Sequence, residues 1–497
     1  MSMKSVQKLH PVMFAGTGSD VGKSVIVTGF CRIFLQDGHH PAPFKAQNMS
    51  LNSFATPDGM EIGRAQAVQA EAAGIPCHTD MNPLLLKPTS DQSSQVVLNG
   101  KPIGSQTARE YFRKEGRDVL RQEVHNAFDR LEKQYNPIVL EGAGSVSEIN
   151  LRELDLVNLP MAIHARADVI LVADIDRGGV FASVYGSILL MTEEERKHTK
   201  GILINKFRGD VSIFESGVKM LEELCKIPVL GVIPYFRDIH IEEEDSLTLQ
   251  TKNSQATHGK INIVVILLRH LSNFTDFHIL ERDPRVHLYY SNDAKDIAQA
   301  DIILIPGSKN TISDLCELRR NGVAQNIVSA YEKGTTVMGI CGGYQMLGRE
   351  VCDPHQIEGQ IERFAGLCLL PITTEIQSEK VTRQVQFTFL DSKDLCNGYE
   401  IHMGKTVPIH GIEYNSLNTL TDGTNDGFYL NHKCFGTYIH GILDNSAFID
   451  FLLRSHTTEL ADKPFDYKAY KEEQYNKLAD HIRSHVNMNL LYEILTK

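Results

Sequence analysis

A cysteine between glycines is the feature that most constrains how this chain folds. Residues 335–340 are apolar and rich in β-branched side chains, and they run into Gly-Ile-Cys-Gly-Gly at 339–343. A helical pattern follows at once over 344–349, so the segment predicts a strand, a sharp turn with a thiol at its apex, and a helix. The glycines allow the tight turn, and the helix N-terminus favours a thiolate. We therefore predict that Cys341 is a nucleophile.

A candidate general base lies farther along the chain, in Gly-Thr-Tyr-Ile-His-Gly at 436–441. A nucleophilic cysteine is activated by a histidine that is distant in sequence but adjacent in the fold. The alternative is a buried structural thiol beside a core histidine, which is favoured for a lone cysteine. The two glycine-flanked motifs together favour a catalytic pair, Cys341 and His440.

Size and charge exclude several classes of protein. The chain has 497 residues, more than one hydrophobic core usually holds, so two or three domains are expected. A formal net charge of -12 argues against nucleic acid or an anionic membrane surface as a partner. The N-terminus lacks an apolar signal core, no apolar run could span a membrane, and the nine cysteines form no CxxC pair. These features predict a cytoplasmic protein without a disulfide framework or structural zinc.

Short β-type runs alternate with amphipathic helical patterns, which predicts an α/β fold of two domains with doubly wound parallel sheets. A polar stretch at 247–260 predicts a linker between domains 1–246 and 261–455, and 456–497 is expected to be a helical tail. The predicted strands are 12–15, 138–140, 169–173, 201–204, 229–232, 261–268, 301–305 and 335–340. The predicted helices are 23–36, 63–73, 107–132 and 212–224, and the tail is expected to be helical over 467–496.

A phosphate-binding loop follows the first predicted strand. Residues 16–24 read Gly-Thr-Gly-Ser-Asp-Val-Gly-Lys-Ser and lead into a helix, which is the context that a P-loop requires. Thr17 stands where the usual motif has its first glycine, and a chance Gly-Lys-Ser turn is the alternative. Backbone amides would cradle the phosphates of ATP, the lysine would reach the β and γ phosphates, and Ser24 would bind Mg²⁺. The predicted ATP-binding residues are Gly16, Thr17, Gly18, Gly22, Lys23 and Ser24.

Polar side chains end the strands that come next in this half. Glu141 follows 138–140 and is a predicted Mg²⁺ ligand, since hard cations prefer carboxylate oxygen; a helix cap or a solvated glutamate is the alternative. Asp174 and Asp176 end another strand and offer further carboxylates. Asn205 follows the strand after that and could hydrogen-bond the edge of the nucleotide base. On spacing alone, this role of Asn205 and a structural one are equally supported.

The loop, Glu141 and Asn205 together resemble the dethiobiotin synthetase superfamily. That resemblance implies that ATP activates a carboxylate as an acyl phosphate. Lys45 resembles the active-site lysine that follows the second strand in that superfamily. The helix at 63–67 lacks the carboxylate that such enzymes place there, which leaves one Mg²⁺ ligand unassigned.

The cysteine and histidine motifs resemble the triad, class I glutamine amidotransferases. The resemblance implies that Cys341 attacks the side-chain amide of glutamine while His440 shuttles the proton. Backbone amides at Gly342 and at Gly307 are the predicted oxyanion donors. The triad glutamate usually stands two residues after the histidine, where this chain has Ile442. Asp444 or a residue elsewhere would then orient His440, or the site would run as a dyad.

Two further polar side chains, Glu400 and His402, share one face of a predicted strand at 398–404. They are interpreted either as neighbours of the glutaminase site or as structural polar groups.

Three longer segments, 46–53, 173–181 and 306–311, resemble the cobyric acid synthase family, and the likeness runs over roughly 10–455. It implies that ATP and glutamine are used to amidate the b, d, e and g carboxylates of a corrinoid, adenosylcobyrinic acid a,c-diamide. With the resemblance, Lys45 and the amide side chains of Gln47, Asn48 and Asn52 are expected to contact the substrate's carboxylates or amides; a polar turn is the alternative for the three amides. The composition and the spacing of motifs do not themselves indicate a corrinoid.

Two other functions stay open at this stage. One is a sister amidotransferase that acts on another acid, such as an a,c-diamide synthase or a cell-wall amidase; product mass separates it from the first interpretation. The other is a non-enzymatic P-loop ATPase switch with an inert second domain. That switch would dimerise with nucleotide and hydrolyse no glutamine. Its membrane-positioning members usually carry an amphipathic tail, whereas the tail here has charges on all sides.

Overall fold

The structure is a computed structural model, and it describes residues 7–89, 93–111, 114–242, 255–457 and 465–496. The first half is built on a six-stranded parallel sheet. Several of its strands are continuous apolar runs, as expected where helices cover both faces of a sheet. In sheet order the strands are Val229–Pro234, Thr199–Phe207, Asp168–Asp174, Val12–Gly16, Ile138–Glu141 and Ala42–Phe44.

The helices of this half lie between the strands along the chain, so the sheet is doubly wound, as predicted. They are Lys23–Gln36, Arg64–Ala72, Ala108–Tyr111, Lys114–Glu132, Leu159–Ala165, Val180–Leu190, Glu193–His198 and Glu215–Cys225. A small mixed sheet adds Gln47–Met49, Leu84–Pro88, Ser93–Leu98 and Lys101–Thr107, and a hairpin joins Ser53–Ala55 to Glu61–Gly63.

One predicted helix, 107–132, starts too early. Lys101–Thr107 is a strand because it pairs antiparallel with Ser93–Leu98, and helical structure begins only at Ala108. Cross-strand pairing therefore overrides the local helical pattern at its first residue.

The second half contains another six-stranded sheet, parallel except for its last strand. In order its strands are Val286–Tyr290, Ile261–Val265, Ile302–Ile305, Thr336–Ile340, Cys434–Thr437 and Phe428–Asn431. The helices are Ala294–Ala298, Thr311–Arg320, Val323–Glu332, Gly342–Leu347 and Ser446–Leu453. A short antiparallel pair joins Leu271–Ser272 to Gly307–Ser308.

A second, largely antiparallel sheet of the same half is dominated by one long hairpin. Its members are Arg363–Ala365, Glu350–Cys352, Ile372–Phe389, Cys396–Pro408, Ile439–His440, Asn418–Leu420 and Asn425–Asp426. The predicted linker 247–260 falls largely outside the described residues.

The tail is helical, as predicted, and forms two helices, Tyr467–His485 and Met488–Leu495. The chain is extended at Val486, which bridges Gly231, and the Asn487 side chain caps the second helix. Both helices pack onto the first half and share a hydrophobic core with the helix Lys23–Gln36. No helix among the described residues is long and apolar enough to cross a membrane.

Candidate active sites

Cys341 stands at the turn between the strand Thr336–Ile340 and the helix Gly342–Leu347. Its backbone has φ 51° and ψ −110°, a strained conformation for a residue with a side chain. The glycines are required by space: a Cβ at Gly343 would lie 2.0 Å from the Ile305 carbonyl oxygen, and one at Gly339 would lie 2.5 Å from the Gly343 oxygen. The structure thus builds the predicted strand, turn and helix and holds the thiol at the apex.

His440 lies beside this turn and is only 1% exposed. Its Nδ1 is 2.7 Å from Oδ2 of Asp276, whose Oδ1 accepts a hydrogen bond from the Gly441 amide at 2.9 Å. Burial alone would lower the pKa of His440, but Asp276 and the Cys341 side chain raise it to about 10. The geometry is that of a Cys-His-Asp arrangement, with the carboxylate supplied by the short 3₁₀ turn Phe274–Phe277.

Asp276 was not named from the sequence, which left open Asp444, a residue elsewhere, or a dyad; Asp276 is such a residue elsewhere. Asp444 makes no hydrogen bond to His440 within the described structure, and burial raises the pKa of its carboxyl to about 7. No motif surrounds Asp276, and its turn follows the strand Leu271–Ser272, which pairs with Gly307–Ser308.

The two predicted oxyanion donors lie close together beside Cys341 and His440, the predicted catalytic pair. A Cβ at Gly307 would lie 3.3 Å from Cε1 of His440, and one at Gly342 would lie 2.7 Å from the Ser308 nitrogen. The Lys309 amide donates to the His270 carbonyl at 2.9 Å, so the alternation of an antiparallel pair turns the Gly307 amide toward Ser272. The nitrogen of Ser308, one residue later, lies beside the turn at Gly342.

The strand Cys396–Pro408 covers the thiol from the other side. The Cys341 Sγ is 3.6 Å from the Ile401 carbonyl oxygen, and the ring of Tyr399 stacks on His440 with centroids 5.3 Å apart. His402 Nε2 is 3.8 Å from Glu400, as their shared face predicted, and its ring stacks on Tyr438. These side chains lie around the site, but the ring of His402 is already engaged.

The phosphate-binding loop lies between the strand Val12–Gly16 and the helix Lys23–Gln36. The Lys23 ammonium donates to the carbonyls of Gly18 and Gly144, both at 2.9 Å. Burial lowers the pKa of Lys23 to about 8, against an opposing effect of Glu141. Gly22 has φ 91°, a left-handed conformation that glycine adopts without strain. The loop is closed around the lysine that is predicted to bind phosphate.

Glu141 is the centre of a buried polar cluster at the same end of the sheet. Its Oε1 accepts from Ser24 Oγ at 2.8 Å and from Lys45 Nζ at 2.7 Å, and its Oε2 accepts from Gln69 Nε2 at 2.5 Å. Burial alone would raise the pKa of Glu141, but Lys45 and the three hydrogen bonds hold it below its usual range. The two predicted metal ligands, Ser24 and Glu141, are thus in direct contact. Gln69 was missed because no motif marks it.

Asn205 lies against the same loop, with its Nδ2 donating to the Val21 carbonyl at 2.8 Å. Beside it is a cavity of about 610 Å³. The walls come from three parts of the chain: Gly22, Asn205 and Pro234 of the first half, Glu281 and Arg282 of the second half, and Tyr467, Tyr475 and Leu478 of the tail. The cavity therefore adjoins the phosphate loop where a nucleotide base would extend from it.

The residues predicted to contact the substrate are not all equivalent. The Gln47 Oε1 accepts from the Tyr111 hydroxyl at 2.6 Å and faces a cavity of about 200 Å³ that also adjoins Arg117 and Gly144. Asn48 is buried and donates to Gln66 at 3.2 Å. Gln47 thus lines a cavity, and the Asn48 side chain is hydrogen-bonded within the protein.

Comparisons with known proteins place both halves in known families. Residues 262–448 match the CobB/CobQ-like glutamine amidotransferase domain, and residues 12–249 match the CobQ/CobB/MinD/ParA nucleotide binding domain. The chain is a glutamine-dependent amidotransferase ligase with a nucleotide-binding half, and this confirms the predicted class.

Full-length relatives narrow that class. A cobyric acid synthase of Bacteroides fragilis is 69% identical over 490 residues, which is 99% of this chain and 99% of the relative. Those of Phocaeicola vulgatus and Syntrophobacter fumaroxidans are 67% and 47% identical, again over 99% of each chain. The chain belongs to the cobyric acid synthase family. Among solved structures, that of PurLQS from Thermotoga maritima covers 44% of this chain and 99% of its own at 17% identity, with a TM-score of 0.28 that is too low to bear on the fold.

Proposed function

We propose that this chain uses ATP and glutamine to amidate the b, d, e and g carboxylates of adenosylcobyrinic acid a,c-diamide, a corrinoid. The observation that carries the proposal is the presence of two separate buried constellations in one chain. Cys341, His440 and Asp276 have the geometry for hydrolysing an amide, and Lys23 and Glu141 have the chemistry for handling phosphate. The names of the full-length relatives support the corrinoid as the acid that is amidated.

In the second half, the Cys341 thiolate attacks the side-chain amide carbon of glutamine. The tetrahedral oxyanion accepts hydrogen bonds from backbone amides, for which we propose Gly342 together with Gly307 or its neighbour Ser308. His440 gives a proton to the departing ammonia, and Asp276 keeps its ring in the correct tautomer. Water then cleaves the thioester and releases glutamate.

In the first half, the substrate carboxylate attacks the γ-phosphorus of ATP and ADP departs. The resulting acyl phosphate is attacked by ammonia, and inorganic phosphate leaves as the amide forms. Lys23 neutralises the phosphates, and Lys45 is placed to neutralise charge beside them. Ser24 and Glu141 fit Mg²⁺, because their oxygens are adjacent and hard; the ion would supply further charge neutralisation on the phosphates.

The two cavities provide proposed sites for the nucleotide base and for the corrinoid. The nucleotide base would lie in the cavity of about 610 Å³ beside Asn205, and Gln47 would contact a carboxylate or amide of the corrinoid. Asn48 would act indirectly, by supporting Gln66 and the neighbouring strand. We also propose domains at 1–246 and 261–455, with the tail helices completing the first domain rather than standing alone.

The test is mass spectrometry after incubation with the a,c-diamide, ATP and glutamine. Four successive replacements of a hydroxyl by an amino group, with ADP, phosphate and glutamate as co-products, are the expected result. A sister amidotransferase would leave the a,c-diamide unchanged and amidate another acid. A P-loop switch would hydrolyse ATP but release no glutamate. ATP hydrolysis as the only activity would overturn the proposal.

Two variants separate the halves. Cys341→Ala should lose glutamine-dependent synthesis but keep synthesis from added ammonium, since the thiolate serves only to release ammonia. Lys23→Ala should lose synthesis from both nitrogen sources, because it acts on the phosphates of ATP. The measurement is product formation with each nitrogen source. Failure of ammonium to rescue folded Cys341→Ala would contradict this division.

A further inference from the structure

Residues of the first half reach directly into the glutaminase site of the second. The Ser53 amide donates to Oδ1 of Asn273 at 2.9 Å, and the Phe274 amide donates to Oδ1 of Asn52 at 3.2 Å. All four residues are buried. Two asparagine side chains thus reach across the boundary in opposite directions, and each satisfies a buried backbone amide of the other half. We call Asn52 and Asn273, with these two bonds, the asparagine clasp.

The asparagine clasp holds the turn that carries Asp276. Asn273 precedes the 3₁₀ turn Phe274–Phe277, and its carbonyl accepts from the Asp276 amide at 3.1 Å. It has φ 52°, a left-handed conformation that asparagine tolerates better than most residues. A shift of Asn273 would therefore move the carboxylate that binds both His440 and the Gly441 amide.

The next residue of the same segment touches the other wall of the site. The Phe54 ring packs on Tyr399 with centroids 4.6 Å apart, and Tyr399 stacks on His440 at 5.3 Å. The guanidinium of Arg64 lies over the Phe54 ring. Arg64 begins the helix Arg64–Ala72, whose Gln69 binds Glu141. The segment therefore meets the His440–Asp276 pair from two sides and leads back to the phosphate site.

We propose that Asn52 and Asn273 are positioning residues for glutamine hydrolysis, which fix Asp276 only when the two halves are docked. The proposal rests on the proposed role of Cys341, His440 and Asp276. It makes a complete glutaminase depend on a contact supplied by the nucleotide-binding half, so that hydrolysis is conditional on the assembled interface.

A matched pair of variants at Asn273 tests this. Asn273→Gly keeps the left-handed backbone but removes the acceptor for Ser53, whereas Asn273→Asp keeps both. We expect Asn273→Gly to lower kcat for glutamate release at least about tenfold with KM for glutamine little changed, since a small displacement of a catalytic group is costly. Asn273→Asp should restore most of kcat. Synthesis from ammonium should persist in both.

Gln384→Ala is the control, because Gln384 donates to the Ala55 carbonyl at 2.9 Å across the same interface without touching the turn. Its kcat should be unchanged. If kcat falls as much in Gln384→Ala as in Asn273→Gly, any contact between the halves has the same effect as the asparagine clasp. That result would overturn the proposal.

A double-mutant cycle supplies the second test. Asn52→Ala should lower kcat in the wild-type background, but it should cost less than about twofold when added to Asp276→Asn, because residues that act as one unit are not additive. Full additivity would show that Asn52 does not act through Asp276. Robust glutamate release from Cys341→Ala would instead overturn the underlying function, so the two failures are distinguishable.

Discussion

His440 is a buried imidazole with a carboxylate on one side and a thiol on the other. Burial favours its neutral form, yet the charge of Asp276 outweighs burial and raises the pKa of the ring to about 10. At neutral pH the ring is therefore protonated in the resting site and can stabilise a neighbouring thiolate. The strained backbone of Cys341 holds the sulfur toward it.

Asp276→Asn should lower kcat for glutamate release at least about a hundredfold, because an amide no longer fixes the tautomer or stabilises the imidazolium. Asp444→Asn, which alters a carboxyl that makes no hydrogen bond to His440, should change it much less. Glutamate release by each purified variant is the measurement, with synthesis from ammonium as the folding control. A greater loss in Asp444→Asn would restore it as the orienting residue.

Glu141→Gln should abolish synthesis from both glutamine and ammonium, because it removes a charge that contacts Ser24 and Lys45 at the phosphate site. Asp118→Asn, at an exposed ion pair with Arg121 of the same half, is the matched control and should stay active. ATP consumption and product formation are measured together. Normal rates in Glu141→Gln with ammonium would remove this carboxylate from the site.

The hairpin formed by Ser53–Ala55 and Glu61–Gly63 belongs to the first half and contacts the second half. The Glu61 carboxylate is buried and binds Lys87 of its own half at 2.7 Å and Lys380 of the other half. Burial alone would raise the pKa of Glu61, but the two lysines hold it far below its usual range. Breaking such a buried arrangement leaves uncompensated charge.

Glu61→Gln should therefore destabilise the protein by about 3–5 kcal/mol at pH 7. The depressed pKa means that this stabilisation is fully present above the unfolded value near 4.5 and is lost as the pH falls below it. The difference in urea midpoint between variant and wild type should consequently shrink toward acid pH. Glu193→Gln, at an exposed pair with Lys197, should leave the midpoint unchanged. A pH-independent difference would contradict the charge argument.

At the scale of the whole molecule, the C-terminal tail packs against the first half of the chain. The tail helix Tyr467–His485 packs on Lys23–Gln36 and contributes Tyr467, Tyr475 and Leu478 to the cavity beside Asn205. Glu281 and Arg282 of the second half line the same cavity. The proposed nucleotide site is thus assembled from both halves and the tail, although its phosphate loop is local.

Gly29→Ala tests the packing of the tail. Replacing glycine by alanine in a helix interior usually stabilises the helix by about 1 kcal/mol. Here, however, the added Cβ would lie 2.3 Å from Cδ1 of Ile482 and 3.2 Å from Cγ of Leu478. We expect a lower Tm and weaker ATP binding, because the cavity wall would be displaced. Adding Ile482→Val should recover part of the loss.

Gly186→Ala is the control for this prediction, since it is also inside a helix but a Cβ there would meet nothing within 4 Å. Its Tm should be unchanged or higher. Equal behaviour of Gly29→Ala and Gly186→Ala would show that the tail accommodates the added methyl group without cost.

The sequence by itself determined the local machinery. The P-loop, the turn at Cys341 and the carboxylate at Glu141 were all predicted, because each depends on neighbours in the chain: apolar runs that form strands, glycines that permit turns, and helix starts that present amides. The order of the two halves and the class of each followed from the same motifs. The bounds of most strands were predicted within a few residues.

Only the tertiary structure decided which distant groups complete these motifs. Asp276 and Gln69 carry no local signal, and Asn52, expected from its segment to contact the substrate, also bonds the Phe274 amide of the other half. The sequence of the tail likewise has the pattern of an ordinary charged helix. Its packing against the helix Lys23–Gln36 is visible only in the structure. Such contacts depend on which surfaces meet after folding, and that choice rests on long-range packing that local patterns in the sequence do not encode.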